Sequence, residues 1–221
     1  MHIFQPKPPP PPDPVIYAVD GLLCHETWAA VEIVTAGRLP TSPLLFENAP
    51  ATPNAWEDWI ETEFGTRLAP WMLGAREAAQ QGVLELAEQD RMLAAHLPAA
   101  RVPASTAFGF ALLETTLGAR HMHEVSKFHR LVTSGKTPGH AMAVLALRSV
   151  LFGVATVNSF VACLFCEWVG AQLSKSGPLP DRDRLRSGFA AGTPSLPKLI
   201  SRWLQASNNI AFQAAKEGRA H

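Results

Sequence analysis

Three histidines and a glutamate crowd one short segment: His121, His123 and His129, with Glu124 beside them. Imidazole and carboxylate groups are ligands for divalent first-row metals. On a helix, His121 and Glu124 share a face at i, i+3, whereas His123 turns toward the opposite side. A di-iron carboxylate centre needs two Glu-x-x-His pairs and further inward glutamates, and the chain has no Glu-x-x-His. The ligand set is not closed, and His121 and His123 are the best candidates for any metal contact. The alternative is a helical metalloprotein or metalloenzyme built on His121, His123 and Glu124. The bland reading places all of them on a wet helix face.

Cys163 and Cys166 form a Cys-x-x-Cys on an apolar stretch. A zinc site wants two more ligands at matching spacing, and a redox pair belongs at a helix start after a strand. Neither context is present, and the expectation is core packing, in which a cysteine behaves as a small hydrophobe. Ser134-Gly135-Lys136-Thr137 contains a superficial Gly-Lys-Thr without the upstream glycine of a phosphate-binding loop. No Gly-x-Gly-x-x-Gly and no Gly-x-Ser-x-Gly nucleophile elbow occurs. These patterns point to no catalytic residue. The six tryptophans read as core, with any surface one a candidate interface anchor.

The elements that carry these residues read as helices. Alternating β-branched runs with paired turn dipeptides are missing. A helix is expected near Leu22–Thr35, stopped by Gly37 and Pro40, and a proline-bearing loop follows over Pro40–Asn54. Asn54 is placed to cap a helix whose stripe is Trp56, Trp59, Ile60 and Phe64. A helix follows with Leu68, Met72, Leu73 and Ala75 on its apolar face, Pro70 near its start and Gly82 closing it; a second carries Leu84, Leu86, Ala87, Met92 and Leu93, and further helices are expected from Ser105 or Thr106 to Gly118 and over Ala119–Val132. Two strongly apolar helices come next, His140–Phe152 and Ala155–Leu173, then a short one near Leu185–Ala190 and a last one over Pro197–Lys216. The fold class expected is all-α: a single-domain antiparallel bundle of eight or nine helices over residues 15–221, preceded by a proline-rich disordered tail, 1–14.

Composition sets bounds. Apolar residues make up 47% and charged residues 17%, which is enough apolar content for a packed core. Nineteen basic residues balance nineteen acidic ones, so there is no electrostatic footprint for nucleic acid or an anionic membrane. Three cysteines are too few for a disulfide scaffold, and no basic-then-apolar leader opens the chain; the expected location is the cytoplasm. Ser149–Cys166 carries no charge and approaches the length of a membrane span. Its polar residues, its interruption at Gly153 and its single-charge flanks, Arg148 and Glu167, favour a buried helical hairpin instead.

Several landmarks recur in one order: Trp56-Glu57-Asp58-Trp59-Ile60-Glu61, then Leu84-Glu85-Leu86-Ala87-Glu88-Gln89-Asp90, then Gly139-His140, then the apolar pair Ser149–Leu173, then Gly177-Pro178-Leu179. This order resembles the UreF-type urease accessory family, over roughly residues 54–186. Asp20-Gly21-Leu22-Leu23-Cys24-His25-Glu26 departs from the family's N-terminal segment, and the family's C-terminal arginine-bearing tail has no equivalent in this chain, although Arg202 lies in the last expected helix. The resemblance implies an all-α, homodimeric chaperone without enzymatic activity. Its partners would be a nickel-carrying accessory GTPase, a urease-docking scaffold and apo-urease, with nickel in transit. Gly139, His140, Gly177, Pro178 and Arg202 are then the partner-binding candidates.

Overall fold

Nine consecutive residues, Ala141 to Ser149, are all buried, and a helix apolar on every side has to sit inside a bundle. The computed structural model describes residues 23–117, 123–175 and 181–217. In chain order the helices are α1 (His25–Thr35), α2 (Pro53–Trp59), a π-helical turn (Ile60–Phe64), α3 (Gly65–Arg67), α4 (Ala69–Gln81), α5 (Val83–Ala94), α6 (Val102–Thr116), α7 (His123–Thr133), α8 (Ala141–Leu151), α9 (Thr156–Lys175), α10 (Arg182–Ala191) and α11 (Leu196–Glu217). No strand occurs among the described residues. The single all-helical bundle is therefore as expected. Because α2, the π turn and α3 run on without a break, the described residues form ten rods where eight or nine were expected. The proline-rich segment 1–14 lies outside them.

Central helix α8 packs against α4 and α6, with α1, α5 and α9 completing its surroundings. Its own residues are mostly alanine, valine and leucine, so neighbouring axes can approach closely and fill the interior without large voids. A second core region is aromatic. Trp56 and Trp59 of α2 stack at 4.6 Å between ring centroids, and Trp168 of α9 meets Trp56 edge-on at 5.2 Å. Phe165, Phe189 and Trp28 close this cluster, tying α1, α9 and α10 together. Such pairs contribute about 0.5–1.5 kcal/mol each beyond area burial.

Some boundaries shift for stated reasons. Pro53, not Asn54, opens α2, since its fixed φ suits the first helical position. Helix α6 begins at Val102, ahead of Ser105. Ser105 caps a different helix: its Oγ accepts the Ala141 N–H at the start of α8. The charge-free run Ser149–Cys166 is broken over 152–155 between α8 and α9. Among the described residues no helix is long and apolar enough to cross a membrane.

Candidate functional site

A carboxylate is rarely buried without partners, since an unpaired one is costly in an apolar interior. Asp90 on α5 is fully buried and has four. Its Oδ2 accepts the Thr137 hydroxyl at 2.7 Å and the Gly139 N–H at 2.6 Å. Its Oδ1 accepts the His140 backbone N–H at 3.0 Å and meets His140 Nδ1 at 2.9 Å. Thr137 also donates to the Ala87 carbonyl, one turn earlier on α5.

The local chain explains the convergence. Gly139 has φ +76°, a left-handed value that favours glycine, and it turns the chain sharply into α8. His140 is the extended residue preceding α8. An ideal Cβ on Gly109 of α6 would lie 2.2 Å from the Gly139 carbonyl oxygen. That missing side chain lets α6 press directly against the turn. With the carboxylate on Nδ1, the proton sits on that nitrogen. His140 Nε2 is buried with no hydrogen-bond partner among the described residues.

Two further buried ionisable residues do comparable work. Glu167 of α9 spreads its carboxylate over three successive backbone N–H groups, at 2.8 Å from Leu44, 3.1 Å from Leu45 and 2.9 Å from Phe46. Burial pushes its carboxyl up to about 7, against the downward pull of those donors. Arg148 of α8 donates through Nε to the Val34 carbonyl at 2.6 Å and through its other nitrogens to the Ile33 carbonyl and the Thr116 hydroxyl. It thereby caps the C-terminal end of α1, where a cation complements the helix dipole. Burial lowers its guanidinium to about 10. Asp90, Arg148 and Glu167 thus each hold a non-adjacent backbone segment: the turn 137–140, the end of α1, and the loop after it.

The expected site residues fare differently. Gly139 and His140 come together with Asp90, but both are buried and offer a partner no surface; their placement on a binding surface is corrected by this burial. Arg202 is exposed and forms a 2.6 Å ion pair with Glu61. His123 is exposed, and Glu124 pairs with Lys127 at 3.3 Å. His129 meets Glu114 at 2.6 Å, on the neighbouring α6. Among the described residues no group of three or more His, Cys, Asp or Glu is placed to hold a metal. His121, Gly177 and Pro178 lie outside the described residues. Cys163 and Cys166 are buried, unbridged thiols in the core, both pushed up by burial, so they pack as small hydrophobes.

Asp90, Glu167 and Arg148 escaped the sequence reading as functional groups. A signal for two of them exists: Asp90 shares the core-facing spacing of Leu86, Ala87 and Leu93, and Glu167 that of Leu164 and Ala171. A lone charge in such a stripe implies a buried partner. No family model, no curated protein and no solved structure matches this chain.

Proposed function

We propose that this chain is a non-catalytic accessory protein of urease metallocentre assembly, similar to the UreF type. In this reading it works in the cytoplasm and bridges a nickel-carrying GTPase and a urease-docking scaffold on apo-urease. Nickel passes between its partners and is not held as a resident cofactor.

One observation carries the reading. Two landmarks of the resemblance, Leu84–Asp90 and Gly139–His140, lie about fifty residues apart in the chain, and the carboxylate that ends the first receives both backbone N–H groups of the second. Motifs that are weak singly gain weight when they are joined by one buried set of hydrogen bonds, because each then explains the other's residue types. In this reading the Gly-His is a structural hinge-pin, and contact with partners falls to exposed groups such as Arg202.

Affinity purification of the tagged full-length chain from its source cell, followed by mass spectrometry, tests the reading. The expected catch is the accessory GTPase together with urease subunits or their scaffold. Deleting the gene is expected to abolish urease activity while leaving urease protein present. Full urease activity in the deletion strain, or a source cell without urease, overturns it.

A further inference from the structure

Seven of the nine residues 6–14 are proline, and Asp13 is the one acidic residue among them. This segment precedes the first described residue, Leu23. A groove of about 460 Å³ on the described surface offers it matching chemistry. Pro53 of α2 and Trp168 of α9 form the apolar side. A Cβ on Gly188 of α10 would stand 3.1 Å from Trp168 Cζ2, so the missing side chain keeps the groove open above the indole. Gln172, Arg184 and Ser187 are the polar members. Gln172 gives one N–H to the Ala51 carbonyl at 2.7 Å, which leaves its second one over. Arg184 is exposed and is the only charged residue of the lining; among the described residues no carboxylate pairs with it.

We propose that this groove seats the chain's own proline-rich segment, with Pro8–Pro12 against Trp168 and Pro53 and the Asp13 carboxylate on Arg184. A proline run in the polyproline II form has carbonyls with no partner inside the run. Grooves that take such runs therefore set aromatic walls beside hydrogen-bond donors. Arg184, Ser187 and the second Gln172 N–H supply those donors, and the lining holds no acidic residue to repel Asp13. The reach is sufficient. Arg186, two residues beyond Arg184, lies 5.3 Å from the Trp28 ring centroid, so α1 and α10 meet beside the groove. Leu23 is five residues before Trp28, within about 17 Å of it even along extended chain, and residues 14–22 span up to about 30 Å more. A tether of this length gives an effective concentration of about millimolar. The segment is then an intramolecular ligand that any outside proline-rich sequence must displace. The inference rests on this groove and is independent of the urease reading.

Photo-crosslinking in the full-length chain locates the segment. A photoreactive residue takes the place of Pro10, and the chain is kept at about 1 µM, far below the effective concentration within one molecule. The expected products are links within one chain onto residues 51–53, 168–172 or 184–188, read by mass spectrometry. Competition measures the hold. A labelled peptide with the sequence of residues 5–16 is expected to bind the full-length chain roughly tenfold more tightly when Pro8–Pro12 are replaced by serine than in the wild type, whose own segment fills the groove. On that serine variant, Arg184→Asp is expected to weaken the peptide roughly fivefold, and a peptide carrying Asp13→Arg to recover the loss. Arg184 is exposed, so circular dichroism should show unchanged helix content. Equal binding to wild type and serine variant, which would leave the groove to a proline-rich partner, overturns the inference. So does binding to neither, or crosslinks that miss the groove or form only between chains.

Discussion

Asp90 Oδ1 lies 2.9 Å from His140 Nδ1, and neither side chain has any exposed surface. The pair joins α5 to the entry of α8 through a carboxylate that also takes up two backbone N–H groups and the Thr137 hydroxyl. Asp90→Ala leaves all of those donors buried and unmatched, and the expected loss is about 3–5 kcal/mol of unfolding free energy. Asp90→Asn keeps one acceptor oxygen for His140 but presents an amide to the Gly139 N–H, so a smaller loss of roughly 1–3 kcal/mol is expected. Urea unfolding of both variants checks the order. Combined with His140→Ala in a double-mutant cycle, Asp90→Ala should show a coupling of roughly 1–3 kcal/mol; simple additivity would contradict a direct pair.

Glu167 gives the bundle a pH dependence with a definite sign. Its folded carboxyl stands near 7, against an ordinary value of 4.5, because burial disfavours the charge. Between those two values the folded chain keeps a proton that the unfolded chain has released. Stability therefore falls as pH rises from about 4.5 to about 7 and levels off above, by an amount of order 3 kcal/mol. Glu167→Gln cannot titrate, and its amide faces backbone N–H groups, so it should be less stable overall. The difference in unfolding free energy between wild type and Glu167→Gln should shrink as pH rises through that window. A difference that grows with pH would mean that the three N–H donors of Leu44, Leu45 and Phe46 outweigh burial.

Much of the helical skeleton was legible. The stripe Trp56, Trp59, Ile60 and Phe64 is buried as its spacing requires, and Gly82 divides α4 from α5 where expected. Hydrophobic period and helix stops are local, so a single sequence displays them. Ser105 shows where local reading fails. It is a good cap by type, but the N–H it accepts lies 36 residues away at the start of α8. Arg148 and Glu167 look like the polar ends of an apolar run, yet both are buried and hold segments more than a hundred residues distant in the chain. Nothing in the spacing of a lone charge says which backbone it will meet. Gly139 and His140 stood out as landmarks, but the burial that makes them structural comes from α5 and α6 packing over them.

Arg148 isolates what one buried cation contributes to α1. Replacing it by Met keeps a long apolar stem and removes the three donors to Ile33, Val34 and Thr116. The expected global cost is about 2–4 kcal/mol, with two helix-end carbonyls left without their charged donor. The loss should also be local. Hydrogen exchange over residues 25–36 is expected to accelerate more than exchange in α9. Arg148→Lys should recover little, because a point charge cannot reproduce the planar fork that spans two carbonyls and a hydroxyl.

Gly109 offers the sharpest separation between helix propensity and packing. It sits inside α6, where alanine is ordinarily favoured over glycine by about 1 kcal/mol. Here the added Cβ would stand 2.2 Å from the Gly139 carbonyl oxygen and 3.1 Å from the Ala141 nitrogen, both backbone atoms that cannot swing aside. Relief requires α6 to back away from the turn 139–141, which pulls Ser105 from the Ala141 N–H and loosens the turn that Asp90 holds. Gly109→Ala should therefore destabilise the chain by roughly 1–3 kcal/mol despite its better propensity. Gly139→Ala, with φ +76° and Val132 Cγ2 2.8 Å from the new Cβ, should lose a similar amount by strain. The two act on one turn, so combining them should cost less than their sum, and a fully additive double variant would show that α6 and the turn are not coupled in this way.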